Sequence, residues 1–199
     1  MRRTLSFVLV MLVAHRASAD SRTEMGLSAT TSANAGLLGL NAGMLGGDVF
    51  VGRRIAPRVT LQGSFVYAFE NGRWKEPLQG APCSGSETHR WTWEGFAARV
   101  WIDTIHTSRV RLSLAPPSIT VGLLGDDAEF GGGTCSHPPA SLRTWLLAVG
   151  LGGISLDVVL TRSLEVRAWT EAALVLDGEP VWFNGGISIS ASIGPTFRF

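Results

Sequence analysis

His89 stands in a hydroxyl-rich stretch with Ser84, Ser86 and Glu87, and the carboxylates Asp126 and Asp127 follow further along the chain. A histidine oriented by a carboxylate can take the proton of a serine hydroxyl, which is the inventory of a hydrolytic or acyl-transfer site. The same residues also make an ordinary solvated loop. No G-x-S-x-G elbow or phosphate-binding glycine loop holds a nucleophile against a base here. Cys83, His89, Cys135 and His137 supply nitrogen and sulfur donors, yet they lack the short knuckle spacing that builds a zinc site. Asp126, Asp127 and Glu129 offer oxygens for calcium without the spacing of an EF-hand loop. We therefore assign no catalytic, cofactor-binding or metal-binding residue from sequence, and expect no cofactor.

What positions these residues begins with the first twenty, "MRRTLSFVLVMLVAHRASAD". Arg2 and Arg3 precede an apolar run from Leu5 to Ala14, and Ala17-Ser18-Ala19 supplies small residues for cleavage. This reads as a secretory signal peptide over 1–19, cut after Ala19, with one domain over 20–199. The apolar run is too short for a spanning helix, which needs about 20 residues. Cleavage removes Arg2, Arg3 and Arg16, taking 17 basic residues to 14 against 16 acidic ones. A near-neutral chain without a basic run argues against nucleic acid as a partner.

No later segment is apolar for long enough to form a spanning helix, yet mean hydropathy is +0.21. The apolar residues alternate instead. In "VTLQGSFVYAF", Val59, Leu61, Phe65, Tyr67 and Phe69 share one face, with Gln62 and Ser64 opposite. Leu164, Val166, Ala168 and Leu174 likewise oppose Glu165, Arg167, Trp169 and Glu171, and Arg99 opposes Phe96, Ala98, Val100 and Ile102. The closing "ISISASIGPTFRF" alternates throughout. Period two marks strands with one apolar and one polar face. Either a soluble barrel or sandwich with an apolar core or a membrane barrel with a polar lumen would satisfy them.

Length and layout separate the two. Strands are predicted at 23–31, 43–53, 58–69, 91–103, 109–124, 142–156, 164–176 and 186–199. Most reach the roughly 9 to 11 residues that a tilted membrane strand needs. "RIAP", "TIHTS" and "DVVLTRS" are short connections, and they alternate with longer ones rich in glycine, proline, serine and charge. That parity predicts an all-β, closed antiparallel transmembrane β-barrel of eight strands, with short periplasmic turns and long external loops. Gly46-Gly47 weakens the second strand, and Pro116-Pro117 interrupts the fifth and moves its apolar face from even to odd positions, as a bulge would.

Ser192-Ile193-Gly194-Pro195-Thr196-Phe197-Arg198-Phe199 resembles the C-terminal assembly signal of bacterial outer-membrane barrels. Ser192, Gly194, Phe197 and Phe199 occupy its specified polar, glycine, apolar and terminal aromatic positions, and Pro195 is a departure. The architecture resembles the small outer-membrane proteins of the OmpA and OmpX type. The resemblance implies residence in the bacterial outer membrane as a monomer. Its partners would be membrane lipids, including lipopolysaccharide, and the barrel-assembly machinery. Some barrels of this size modify the acyl chains of lipid A or phospholipids, and "HTS" at His106 to Ser108 resembles part of a deacylase motif on the wrong side, in a predicted periplasmic turn.

Eight strands leave an interior that side chains can fill. Asp48, Glu70, Arg99, Arg109, Arg111, Glu165, Arg167 and Glu171 are the predicted lumen charges, in equal number of each sign. They are expected to pair and plug the barrel; a narrow ion path is the alternative. Trp91, Trp93, Trp101, Trp145 and Trp182 fall near predicted strand ends, where interfacial girdles form, and Trp169 lies mid-strand. Cys83 and Cys135 fall in long loops of the same side, and export to an oxidising compartment makes their disulfide the expectation. The role so implied is structural or interactive: membrane integrity, adhesion or loop display. A lipid-modifying enzyme is the rival reading.

Overall fold

A strand in which every second residue is apolar must put one row of side chains on each side of its sheet. A sheet that closes on itself then has one row inside and one outside. The computed structural model describes residues 23–35, 43–70, 74–77, 86–131, 140–177 and 186–199. These form β1 (Thr23–Ala35), β2 (Gly43–Ala56), β3 (Val59–Glu70), β4 (Trp74–Pro77), β5 (Ser86–His106), β6 (Val110–Ala115), β7 (Ile119–Gly131), β8 (Ala140–Val159), β9 (Leu164–Asp177) and β10 (Gly186–Arg198). The predicted signal segment 1–19 and both cysteines lie outside the described residues.

Every neighbouring pair is antiparallel, and the order runs β1, β2, β3, β5, then β6 with β7 as one broken crossing, β8, β9 and β10. β10 pairs back onto β1 from Glu24↔Arg198 to Ala35↔Ile187, which closes a ring of eight crossings. The Phe199 N–H donates to the Thr23 carbonyl at 3.0 Å at the end of this seam. The turns after β2, β5 and β8 are short and lie at one end, called here the short-turn end.

The outside is apolar and the inside charged. Phe96 is 71% exposed, and Leu27, Leu61, Phe65, Ile119, Ile154, Ile193 and Phe197 also project outward. Glu165, Asp157, Arg111 and Arg167 are each at most 3% exposed. A soluble barrel would bury the first set and solvate the second, so the structure is the membrane form of the two candidate solutions.

Two of the predicted strands are longer in the structure, and the cause is local. β5 and β8 run for 21 and 20 residues, beyond what a crossing requires, because β4 and β7 continue to ladder with them past the barrel at the long-loop end. β2 passes through Gly46-Gly47 without interruption, since β1 and β3 hold it from both sides (Gly46↔Thr30, Gly46↔Ala68). At Pro116-Pro117 the crossing breaks, as the phase change predicts. Arg111 and Ser113 point inward before it and Gly122 and Leu124 after it. β8 slips in step, with a register shift between Gly150 and Gly152, and the two irregularities exchange bonds between Ser118 and Gly150. Gly152 has φ +152°, a conformation that glycine reaches without strain, and it lets β8 change faces there.

Candidate functional site

The inward residues of the short-turn half come from several strands. On β9, Glu165, Arg167, Trp169 and Glu171 alternate into the lumen, and on β5 Arg99, Trp101 and Asp103 do the same. β1 adds Glu24, β6 adds Arg111 and β8 adds Asp157. The Arg167 Nε donates to Asp157 at 2.6 Å and its Nη1 to Glu24 at 2.7 Å. The Arg111 Nε donates to the other Asp157 oxygen at 2.6 Å, and its Nη2 to Glu165 at 3.0 Å. Arg54 reaches Asp103 at 2.7 Å and Arg198 reaches Glu165 at 2.7 Å. Buried charges persist only when each is met by opposite charge and hydrogen bonds, and here each carboxylate has at least one guanidinium.

An aromatic layer lies above this network. Phe50, Trp101, Trp169 and Ala115 form a buried cluster, with Phe50 edge-on to Trp169 at 5.7 Å and the Arg167 guanidinium 5.4 Å from the Phe50 ring centre. The ring fits because residue 26 is glycine: a Cβ there would collide with it. The Trp101 Nε1–H donates to Gln62 at 2.8 Å, so the indole's polar end is satisfied although the ring is buried.

Mid-barrel, the Arg99 Nε donates to Glu171 at 2.7 Å and its Nη1 to the Ser64 hydroxyl at 2.6 Å. The Ser118 hydroxyl also donates to Glu171, and the Ser28 hydroxyl donates to Asp48. Beyond lies a cavity of about 110 Å³. Leu124, Leu146, Ala148 and Val175 pack with Trp91 and Trp93 toward the long-loop end.

Of the predicted lumen charges, Asp48, Arg99, Arg111, Glu165, Arg167 and Glu171 are buried inside the barrel. Glu70 is only half-buried, at the long-loop end of β3. Arg109 is a correction: it sits exposed in the turn between β5 and β6, one residue before the alternation of β6 begins, so it has no inward direction to take. Glu24, Asp103 and Asp157 join the network without having been among the predicted charges. Asp103 follows Arg99 by four residues and so shares its face, a signal present in the alternation. Asp157 falls in a predicted turn, and β8 outlasts that predicted strand end. The tryptophan girdle is corrected too. Trp101 stands on the face of Arg99 and is buried in the lumen, as is mid-strand Trp169 beside Arg167. Trp91 and Trp93 are partly buried, whereas Trp145 is 62% exposed. Trp182 lies outside the described residues.

At the long-loop end, β5 and β7 pair His89 with Ala128, which brings the His89 Nδ1 to 2.9–3.0 Å from both oxygens of Asp126. The imidazole stacks on Trp91 at 5.8 Å. Asp127 turns instead to the Ser141 hydroxyl at 2.7 Å. Ser84 and His137 lie outside the described residues, and the side chains of Ser86 and Glu87 are not described. His106 is half-exposed at the opposite end, 3.8 Å from Asp103. Ser192 is buried against Thr30 at 2.9 Å, while Phe197 and Phe199 face outward.

No family model matches the chain, and no curated protein matches it in sequence. Solved structures do match its fold. The Neisserial surface protein A superposes with a TM-score of 0.61 at 13% identity, over 89% of this chain and 97% of that one. A major outer membrane protein from Thermus thermophilus gives 0.58 at 10% identity, over 89% and 99%. Ail, the attachment invasion locus protein of Yersinia pestis, gives 0.52 at 12% identity, over 89% and 97%. The chain therefore has the architecture of the small bacterial outer-membrane β-barrels.

Proposed function

We propose that this chain is an integral protein of the bacterial outer membrane with a structural or interaction role, its lumen plugged by paired charges and its long-loop end presented outward. The observation that carries this reading is the inversion of the barrel: an exposed aliphatic and aromatic belt around a buried set of ion pairs. The belt suits contact with lipid chains, and lipopolysaccharide is the expected lipid partner at the outer leaflet. Arg111, Arg167, Glu24 and Asp157 meet inside the barrel, which supports a plug rather than a conduit. One structural neighbour carries attachment in its name, which agrees with a display or adhesion role. The eight-residue pattern at 192–199 supports recognition by the barrel-assembly machinery, and a monomer suffices for a closed ring. The test is twofold. Protein from membrane fractions should change gel mobility on boiling, and the folded chain in planar bilayers should leave flat conductance traces. Recovery wholly in the soluble periplasm would overturn the location, and stepwise currents would overturn the plug.

A lipid acyl-modifying enzyme is the second reading, favoured specifically by the His89–Asp126 pair. A base already oriented by a carboxylate is two-thirds of a hydrolytic triad. Replacing His89 with alanine and measuring the acyl chains of lipid A by mass spectrometry separates the two. An altered acyl pattern would establish the enzyme; an unchanged one leaves the pair as a strut between β5 and β7.

A further inference from the structure

Among the described residues, the interior charges fall into two groups of different balance. In the short-turn half, the carboxylates Glu24, Asp103, Asp157 and Glu165 meet the guanidiniums of Arg54, Arg111, Arg167 and Arg198, four against four. In the mid-barrel layer, Arg99 is the single buried cation beside two buried carboxylates, Asp48 and Glu171. Arg99 gives its short bonds to Glu171 and Ser64. Asp48 is 5% exposed and accepts from one neutral donor, the Ser28 hydroxyl; no described guanidinium, ammonium or imidazole stands at ion-pair distance from it. A buried carboxylate in that position retains its charge only at a large desolvation cost unless a cation joins it.

The cavity of about 110 Å³ lies directly against this carboxylate. Its polar wall carries the hydroxyls of Thr30, Ser190 and Ser192 and the Arg99–Glu171 ion pair, whose two charges meet each other, and its apolar wall is built by Met44, Val66 and Trp93. An apolar cavity of roughly 150 Å³ admits benzene, so this one takes a guest of about four or five heavy atoms. We infer that the cavity is a binding site for a small organic cation, a primary alkylammonium with Asp48 as its counter-charge. The ammonium donates to the Asp48 carboxylate and to the serine and threonine oxygens, and its short carbon chain lies on Met44, Val66 and Trp93. The charge-assisted bond to Asp48 is the strong contact, and the hydroxyls supply acceptors for the remaining N–H groups. An alcohol of the same length would leave the Asp48 charge unmet, and a carboxylic anion would add a third carboxylate beside Asp48 and Glu171.

The test is calorimetric titration of the full chain, folded in detergent, with n-propylammonium, n-propanol and propionate at matched ionic strength. Propylammonium should bind at least tenfold more tightly than either of the others, a difference of about 1.4 kcal/mol. Asp48→Asn should bring propylammonium down to the level of n-propanol while heat-modifiable mobility is retained. Equal binding of alcohol and ammonium would overturn the inference and leave a merely apolar cavity. So would the absence of saturable binding, or an Asp48→Asn chain that keeps the preference. If sodium ion displaces propylammonium at equal concentration, the site belongs to an inorganic cation and the organic assignment fails. Should the Asp48→Asn chain not fold, the ranking of the three probes on the unaltered protein decides by itself.

Discussion

Replacing Arg167 with methionine asks whether the interior charges act as one network. Methionine keeps an apolar contact on Phe50 and removes the charge, so the change isolates electrostatics from packing. Arg167 is 3% exposed and donates to Asp157 at 2.6 Å and to Glu24 at 2.7 Å. Without it, Asp157 retains Arg111 at 2.6 Å, but among the described residues Glu24 retains only Arg111, at 3.6 Å. Removing one partner of a buried pair costs roughly 3–5 kcal/mol, because the other charge is left stranded. Arg111 remains to share the load, so the lower end applies, about 3 kcal/mol. With a urea slope of about 2 kcal/mol/M, the unfolding midpoint in lipid vesicles should fall by about 1.5 M. Tryptophan fluorescence and gel mobility would report it together. Adding Glu24→Gln removes the stranded carboxylate, and the double variant should recover about 2 kcal/mol of the loss. A midpoint shift below about 0.3 M, or strict additivity of the two single losses, would refute the reasoning. Those charges would then be solvated by water rather than by one another.

Phe96→Lys places a charge on the outward face of β5, where the native ring is the most exposed of the large apolar side chains among the described residues. In a membrane it should cost about 2–4 kcal/mol and lower the folded fraction in vesicles; improved solubility with unchanged folding would contradict the lipid-facing assignment. Gly152→Ala adds a methyl where the nearest atom stands at 3.5 Å, so its cost is conformational, about 1–3 kcal/mol, read as a lowered urea midpoint. An unchanged midpoint would mean that the β8 bulge relaxes freely. Cys83 and Cys135 are expected to be joined, and mass spectrometry of the unreduced chain after proteolysis should recover a linked peptide pair; two alkylatable thiols would exclude the bridge.

Much of the barrel is legible in the order of residues. Alternation in β3, β9 and β10 assigns inward and outward faces, and the parity of short and long connections implies antiparallel closure. The phase slip at Pro116-Pro117 is readable because two prolines cannot both serve a central ladder. What escapes lies at strand ends and in inference from composition. Trp101 suits a girdle by its place near a predicted strand end, yet its position in the alternation puts it on the same face as Arg99. Asp157 reads as a turn residue because its strand continues through neighbours that only pairing identifies. The reach of β5 past the barrel depends on β4 and β7, which its own residues do not announce.

Local order in the chain suffices to say which face each residue takes, because the period of a strand is two and backbone sterics enforce it. Who meets whom across the lumen is a matter of the closed barrel alone. Arg99 on β5 finds Glu171 on β9, 72 residues away, and among the described residues Asp48 on β2 bonds to a serine hydroxyl alone. Those partnerships follow from the register of every crossing, the matched irregularities at Pro116-Pro117 and in β8, and closure of β10 on β1. A one-residue change in any of them would deal the same charges into different pairs.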